Sequence, residues 1–208
     1  MDSETAFLSG LIELQYGQKV EHQLRKIAAQ VSWAQGWPHD DKAFWNAEAF
    51  MWQRKIEKSF RELLQRELTF LQPGKNLDVG CGSYSYLSSV GLDLSEKMLL
   101  LNDSCIQKVQ SNLEKPLPFP SHSFDSATAI FVMNYVRNYQ QLLREIKRVL
   151  NINGTFVMVL SSKNINDWQR QKEVNRFSVK RWMTLLQRAG LRVKIKEKSG
   201  LVFFYGRK

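Results

Sequence analysis

The sequence predicts an α/β fold, a mostly parallel sheet of seven strands with helices on its faces, behind an N-terminal helical layer. From Asn76 onward, short apolar runs alternate with helix-length amphipathic segments, the pattern of strands joined by crossovers. Before Asn76 there is helical spacing and no strand-like run. A chain of 208 residues with 43% apolar content is also long enough to bury one full core with a helical appendage.

The elements follow in order. Leu8, Leu11, Ile12, Val20, Leu24, Ile27 and Val31 fall near helical spacing, so residues 3–35 read as a helix, weakened by Gly10 and Gly17. Gly36-Trp37-Pro38-His39-Asp40 is a loop, and Asp40 or Asp41 caps a second helix that runs to about Leu71 and ends at Pro73-Gly74. Strands are expected at 76–79 and 90–94, with Ser95 capping a short helix to about Asn102. A third strand is placed at 109–113, a fourth at 126–131, a helix at 139–150 and a fifth strand at 155–160 after the Asn153-Gly154 turn. Ser178 caps a helix ending at Gly190, and two last strands flank Ser199-Gly200. Only residues 80–89 separate the first two strands, too few for a full crossover helix, so about one helical turn is expected there. The N-terminal helices would then close over the exposed side.

Composition narrows the class. Two cysteines, Cys81 and Cys105, give neither a disulfide framework nor a metal spacing and imply a reducing compartment. With His22, His39 and His122 they make no familiar zinc pattern, so no metal site is expected. The polar opening Met1-Asp2-Ser3-Glu4 and the lack of an ~18-residue apolar run predict no leader and no membrane span, hence a cytoplasmic protein. The net charge of +10 resides in residues 151–208, with 13 Lys/Arg against 3 Asp/Glu. Part of that excess is the alternating Leu191-Arg192-Val193-Lys194-Ile195-Lys196-Glu197-Lys198, which reads as an edge strand whose lysines discourage aggregation. The remaining basic residues admit an anionic acceptor, or are a solvated face.

The chemistry sits at Leu77-Asp78-Val79-Gly80-Cys81-Gly82 followed by Gly91-Leu92-Asp93-Leu94. A buried strand runs into a glycine turn, and the next strand ends in an acid, an arrangement that brings backbone amides and a ribose-binding carboxylate to one ligand. A third glycine is lacking, and the acid comes 13 residues after Gly80 rather than the ~20 of a dinucleotide fingerprint, so a nicotinamide enzyme is the poorer reading.

Here the chain resembles the class I S-adenosylmethionine-dependent methyltransferases, of the type 11 methyltransferase-domain group, over about residues 73–208. Asp78 to Gly82 is similar to the family's first motif and Asp93 to its ribose-binding acid. Asn112-Leu113-Glu114 is similar to its adenine-contacting stretch, with Leu117-Pro118-Phe119 after it. Ser123-Phe124-Asp125 and the run from Phe131 to Val136 match the fourth strand and its exit, and residues 143–150 with Asn153-Gly154 match the helix and turn before the fifth. The resemblance implies a Rossmann-like sheet with an antiparallel final strand and S-adenosyl-L-methionine as cofactor. It implies cofactor contacts from Asp78, Gly80, Cys81, Gly82, Tyr84, Asp93, Leu94, Asn112, Leu113, Glu114 and Phe131. Tyr84 departs from the small residue usual there, and Asn112 from the usual Asp, although its carbonyl oxygen still accepts from an adenine amino group.

The expected division is 1–72 as a lid or substrate layer and 73–208 as the cofactor-binding domain. Substrate contacts are expected from Asn134, Tyr135, Trp52 and Arg54. Trp33, Trp37, Trp45 and Trp52 are either helical core or, with Tyr16 and Arg54, a lid that excludes water. No catalytic dyad is evident, so proximity and desolvation are the expected means of catalysis. A small-molecule acceptor is favoured because the helical layer is charge-balanced. An RNA or protein acceptor on the basic C-terminal face is the runner-up, and a non-catalytic partner subunit of the same fold is the third reading.

Overall fold

The computed structural model describes residues 2–162 and 170–208, apart from the side chains of Gln53 and Arg54. The N-terminal layer holds α1 (Ser3–Gln15), α2 (Glu21–Ala28), a 3₁₀ turn (Ser32–Ala34), α3 (Asp41–Lys55) and α4 (Lys58–Leu68). The alternating part follows as β1 (Asn76–Val79), β2 (Ser89–Asp93), α5 (Glu96–Leu101), β3 (Cys105–Gln110) and β4 (Phe124–Ile130). After it come α6 (Tyr139–Val149), β5 (Leu150–Ser161), α7 (Val179–Arg188), β6 (Arg192–Lys198) and β7 (Leu201–Arg207). Among the described residues no helix is long and apolar enough to cross a membrane.

Strand order is β3-β2-β1-β4-β5-β7-β6. β1 pairs in parallel with β2 and β4, as β2 does with β3 and β4 with β5. β7 is antiparallel to both of its neighbours. The chain winds outward from β1 to β3 and then returns to place β4 on the other side of β1. That reversal opens a crevice at the carboxyl ends of β1 and β4, where open parallel sheets bind ligands.

Alternation along the strands decides what covers each face. Leu77, Val79, Ala127, Ala129, Phe156 and Met158 pack against Leu142 and Ile146 of α6 and Trp182 and Leu186 of α7. On the opposite face Ile130, Val157, Val159 and Phe203 meet Leu63, Leu64 and Leu68 of α4 and Trp52 of α3. Near β1 that second face turns polar. Asn76 donates to Ser89 Oγ and Thr128 Oγ1, each at 2.9 Å, and accepts from Ser126 Oγ at 2.8 Å. Thr128 Oγ1 donates to Asp78 Oδ1 at 2.8 Å, so these buried polar groups satisfy one another.

Several expectations need correction. The first helix is broken: Gly17 takes φ +81°, and Gln18 N–H closes on the Glu13 carbonyl in a left-handed C-terminal cap. The second helix is split at Ile56-Glu57. Residues 80–88 hold turns and bends without the expected helical turn. The third strand is 105–110 rather than 109–113, and residues 112–114 form a turn in which Asn112 Oδ1 accepts from Glu114 N–H at 2.9 Å. The caps at Asp40, Ser95 and Ser178 form as expected, as does the edge strand β6. Lys196 and Lys198 of β6 bond Glu67 of α4 at 2.7–3.1 Å and pin that helix to the sheet.

Candidate active site

The crevice beyond β1 and β4 is a cleft with about 1160 Å³ of empty volume, open mouth included. Its floor is the turn after β1. Gly80 and Gly82 have φ +66° and +58°, a conformation that strains residues with a Cβ. A Cβ on Gly82 would also sit 3.2 Å from Trp52 Nε1, so the aromatic wall closes directly over the turn. Gly80 and Cys81 N–H both donate to the Leu92 carbonyl, at 2.7 and 3.1 Å, which ties the turn to the end of β2.

Asp93 fixes the same turn through its side chain. One carboxylate oxygen accepts from Gly82 N–H and the other from Ser95 N–H, both at 2.9 Å. Each oxygen keeps lone-pair capacity for a ligand hydroxyl. Burial pushes the Asp93 carboxyl upward, against those amide bonds. Asp78, only 4% exposed, is pushed up to about 6, chiefly by burial, with hydrogen bonds from Ser85 and Thr128 opposing and the Asp93 charge adding. Phe131, the first residue past β4, takes φ +57°, an outlier for an aromatic residue, while its N–H bonds the Val159 carbonyl at 2.9 Å.

All eleven residues expected at the cofactor line this one cleft: Asp78, Gly80, Cys81, Gly82, Tyr84 and Asp93 at the turn, Leu94, Asn112, Leu113 and Glu114 on one flank, and Phe131 at the end of β4. Of the four expected at the substrate, Tyr135 and Trp52 line it. Asn134 does not: its side chain lies 3.5 Å from Glu173 and its carbonyl accepts from Val174 and Asn175 N–H. The Arg54 side chain lies outside the described residues.

The aromatic residues divide between two jobs. Trp33 and Trp37 pack edge-on around Phe7 in a separate N-terminal core, and Tyr16 is 82% exposed. Trp45 and Trp52 face the cleft, with Trp45 edge-on to Tyr135 at 4.9 Å and to Trp52 at 6.4 Å. Tyr84 and Tyr86 meet edge-on at 5.3 Å on another wall, with Tyr84 Oη held by Gln65 Nε2 at 2.8 Å. Burial, followed by the charges of Glu173 and Glu48, raises the Tyr135 phenol, which stays protonated at neutral pH.

At the mouth, Asp41 pairs with Lys172 at 2.9 Å and Arg137 at 3.0 Å, joining the start of α3, the β4–α6 connection and the chain after β5. Glu114 accepts from the backbone N–H of Arg137 and Asn138, at 2.7 and 2.9 Å. No motif or spacing marks Asp41 and Arg137 as residues that reach the site. Lys172 lay in the basic stretch already singled out, without an assigned partner. Among the described residues no cluster of His, Cys, Asp and Glu could hold a metal ion.

Residues 77–158 match a family model described as a methyltransferase domain. That segment belongs to the methyltransferase-domain family. A demethylmenaquinone methyltransferase from Listeria welshimeri is 33% identical over 124 residues, 50% of this chain and 52% of the relative. The chain thus spans about half the length of the curated relatives it matches. Among solved structures, a SAM-dependent methyltransferase from Aquifex aeolicus superposes with a TM-score of 0.60 at 18% identity, covering 81% of this chain and 98% of that one. An S-adenosylmethionine-dependent methyltransferase from Mesorhizobium loti gives 0.57 at 20% identity, covering 71% and 96%. At these identities the superpositions establish the fold. The matched segment, which stops at Met158 inside β5, contains the glycine turn, Asp93 and Tyr135, whereas Trp45 and Trp52 of the cleft wall lie outside it.

Proposed function

We propose that this chain is a methyltransferase that uses S-adenosyl-L-methionine to methylate a small-molecule acceptor, held between the glycine turn and the aromatic roof. One observation carries the reading: a single cleft joins the Gly80–Gly82 turn, the carboxylates of Asp78 and Asp93, Asn112, and a wall of Trp45, Trp52 and Tyr135. These residues fit the cofactor. The glycine cradle leaves room where a Cβ would intrude on Trp52, Asp93 has acceptor capacity for ribose hydroxyls, and Asp78 can face a cationic group.

When bound, the cofactor supplies an electrophilic methyl group and its own leaving group. The protein's work is positioning. Trp45, Trp52 and Tyr135 exclude water and offer flat apolar surface to an acceptor, while the Tyr135 hydroxyl is a donor rather than a base. Residues 1–72 serve as acceptor layer and lid, and residues 73–208 hold the cofactor. Two features support a small acceptor. Arg137 and Lys172 at the mouth are matched by Asp41 and Glu114, and Lys196 and Lys198 are engaged by Glu67, which leaves less free basic surface for nucleic acid. The Listeria relative is also named for demethylmenaquinone. The free thiols fit a cytoplasmic setting.

Titration calorimetry with S-adenosylmethionine, followed by radiolabelled methyl transfer to metabolite, tRNA and rRNA pools, tests this. Label is expected in the metabolite fraction. Label in RNA that falls steeply with added salt would move the acceptor to nucleic acid, and no cofactor binding at all would remove the proposal.

A further inference from the structure

The chain's two cysteines meet directly beneath the cofactor turn. Cys81 sits between Gly80 and Gly82, and Cys105 opens β3. Gly91 of β2 lies between them and makes their approach feasible: a Cβ there would come within 3 Å of both sulfurs. The two sulfurs thus flank the same Gly91 position, 2.2 and 2.9 Å from where its Cβ would stand, and Cys105 Sγ lies 3.4 Å from Ser85 Oγ, which also accepts from Asn102 Nδ2 at 3.1 Å. Cys81 lines the cofactor cleft, whereas half-buried Cys105 lines a separate shallow pocket with Ser88, Asp103 and Ser104. The pair therefore connects the cleft to a second opening on the surface.

We propose that Cys81 and Cys105 form an oxidation site, in which hydrogen peroxide entering by the second pocket joins them in a disulfide that disables the cofactor turn. The proposal rests on the cofactor reading given above. The roles of the two sulfurs are unequal. The neighbouring Cys81 thiol, ahead of opposing burial, holds the Cys105 thiol below its ordinary value, while Cys105 and burial push Cys81 well up. Cys105 is thus the thiol that ionises first and Cys81 the partner that keeps its proton longer. The Cys105 thiolate attacks one peroxide oxygen, the O–O bond breaks, and hydroxide leaves and is protonated to water, giving a sulfenic acid. The Cys81 sulfur then attacks the sulfenic sulfur, the S–O bond breaks, and the hydroxyl departs as water with the Cys81 proton. Two thiols have lost two hydrogens, and one peroxide has become two waters.

A disulfide draws its two sulfurs to about 2.05 Å. Cys105 pairs with Ser89 at the irregular first step of the β3 ladder, so closing the bond displaces both that step and the turn. There Cys81 N–H donates to the Leu92 carbonyl at 3.1 Å, Asn102 Nδ2 donates to the Cys81 and Gly82 carbonyls at 3.4 and 2.9 Å, and Asp93 accepts from Gly82 N–H at 2.9 Å. Moving Cys81 pulls Gly82 off Asp93 and closes the cradle.

The test treats the purified, fully reduced chain with graded hydrogen peroxide. Intact mass should fall by two hydrogens, a non-reducing peptide map should show one Cys81–Cys105 cross-link, and affinity for S-adenosylmethionine by calorimetry should drop about tenfold, restored by dithiothreitol. Cys105→Ser should keep the reduced affinity and lose its peroxide response. If that variant does not fold, Cys105→Ala replaces it, and the wild-type mass and affinity data decide alone. Over-oxidation of Cys105 without a cross-link overturns the proposal, as does a cross-linked protein that binds the cofactor as tightly as before. If the reduced chain does not bind S-adenosylmethionine, the cofactor reading fails instead, and the mass and peptide data still judge the thiol pair.

Discussion

Asp93 does two jobs with one carboxylate. It pins the Gly82 amide and the Ser95 amide, and in the proposed complex it also accepts from ribose. Asp93→Ala should weaken S-adenosylmethionine binding by about 1.5–3 kcal/mol, the scale of hydrogen bonds to a charged group, and should loosen the turn as well. Unchanged calorimetric affinity in a folded variant would show that the ribose lies elsewhere. Asp78 carries a pH signature. Its folded value near 6 is raised above the ordinary carboxylate range, so its contribution to the free protein's stability is complete below the unfolded value and is lost as pH rises through 6. A cationic ligand group reverses this by favouring the carboxylate. Cofactor affinity should therefore rise with pH, by about tenfold between pH 5 and 7, and then level off. In Asp78→Asn the same titration should be flat. A flat wild-type profile would mean that Asp78 does not meet the cofactor's positive charge.

At the scale of elements, the N-terminal layer does what a crossover helix does elsewhere. With only turns between β1 and β2, α4 packs the far end of the exposed face and α3 covers the glycine turn. The seam is Asn46, fully buried, which accepts from Ser95 Oγ at 2.7 Å and donates to the Trp33 carbonyl at 3.0 Å. Asn46→Ala should cost about 1–3 kcal/mol by urea denaturation, because it strands buried partners on α5's cap and in the N-terminal core. A loss under about 0.5 kcal/mol would mean that the seam is held by apolar packing instead. Local signals made much of this legible. β1, the turn, β2 and the Ser95 cap are encoded in consecutive residues and stand where expected, and the alternating lysines marked β6 as an edge. β3 was misplaced because half-exposed Cys105–Gln110 shows no alternation, whereas Val109 and Leu113 mimic a strand across a turn. The breaks in the N-terminal helices were missed because a helical period continues through Gly17 and through Ile56. Trp33 and Trp45 share a composition signal but not a destination, and only the tertiary fold separates core from cleft.

Over the whole molecule, parts distant in sequence are joined at the cleft mouth. Asp41 holds Arg137 and Lys172, so the helical layer, the β4–α6 connection and the chain after β5 converge on one carboxylate. Burial works to raise Asp41, and the hydrogen bonds and charges of Lys172 and Arg137 outweigh it, keeping the group below its ordinary value. Such a group contributes above its unfolded value and fails only as pH falls through the lower folded one, so the clasp stays formed at neutral pH. Its side chain is 37% exposed, and solvent screening limits each pair to about 1 kcal/mol or less. The clasp is thus too weak to hold the fold together and well suited to set how fast the mouth opens. Asp41→Ala should leave the melting temperature almost unchanged yet speed S-adenosylmethionine dissociation about two- to fivefold, followed by the fluorescence of Trp45 and Trp52 in the cleft wall. Lys172→Ala should have a smaller effect, since the Asp41–Arg137 pair remains, and the double variant should add little to Asp41→Ala, which already removes both pairs. Raising ionic strength should bring the wild type towards the variants as the exposed pairs are screened. Dissociation that is indifferent to Asp41, to Lys172 and to salt would mean that the mouth is held by its aromatic wall alone.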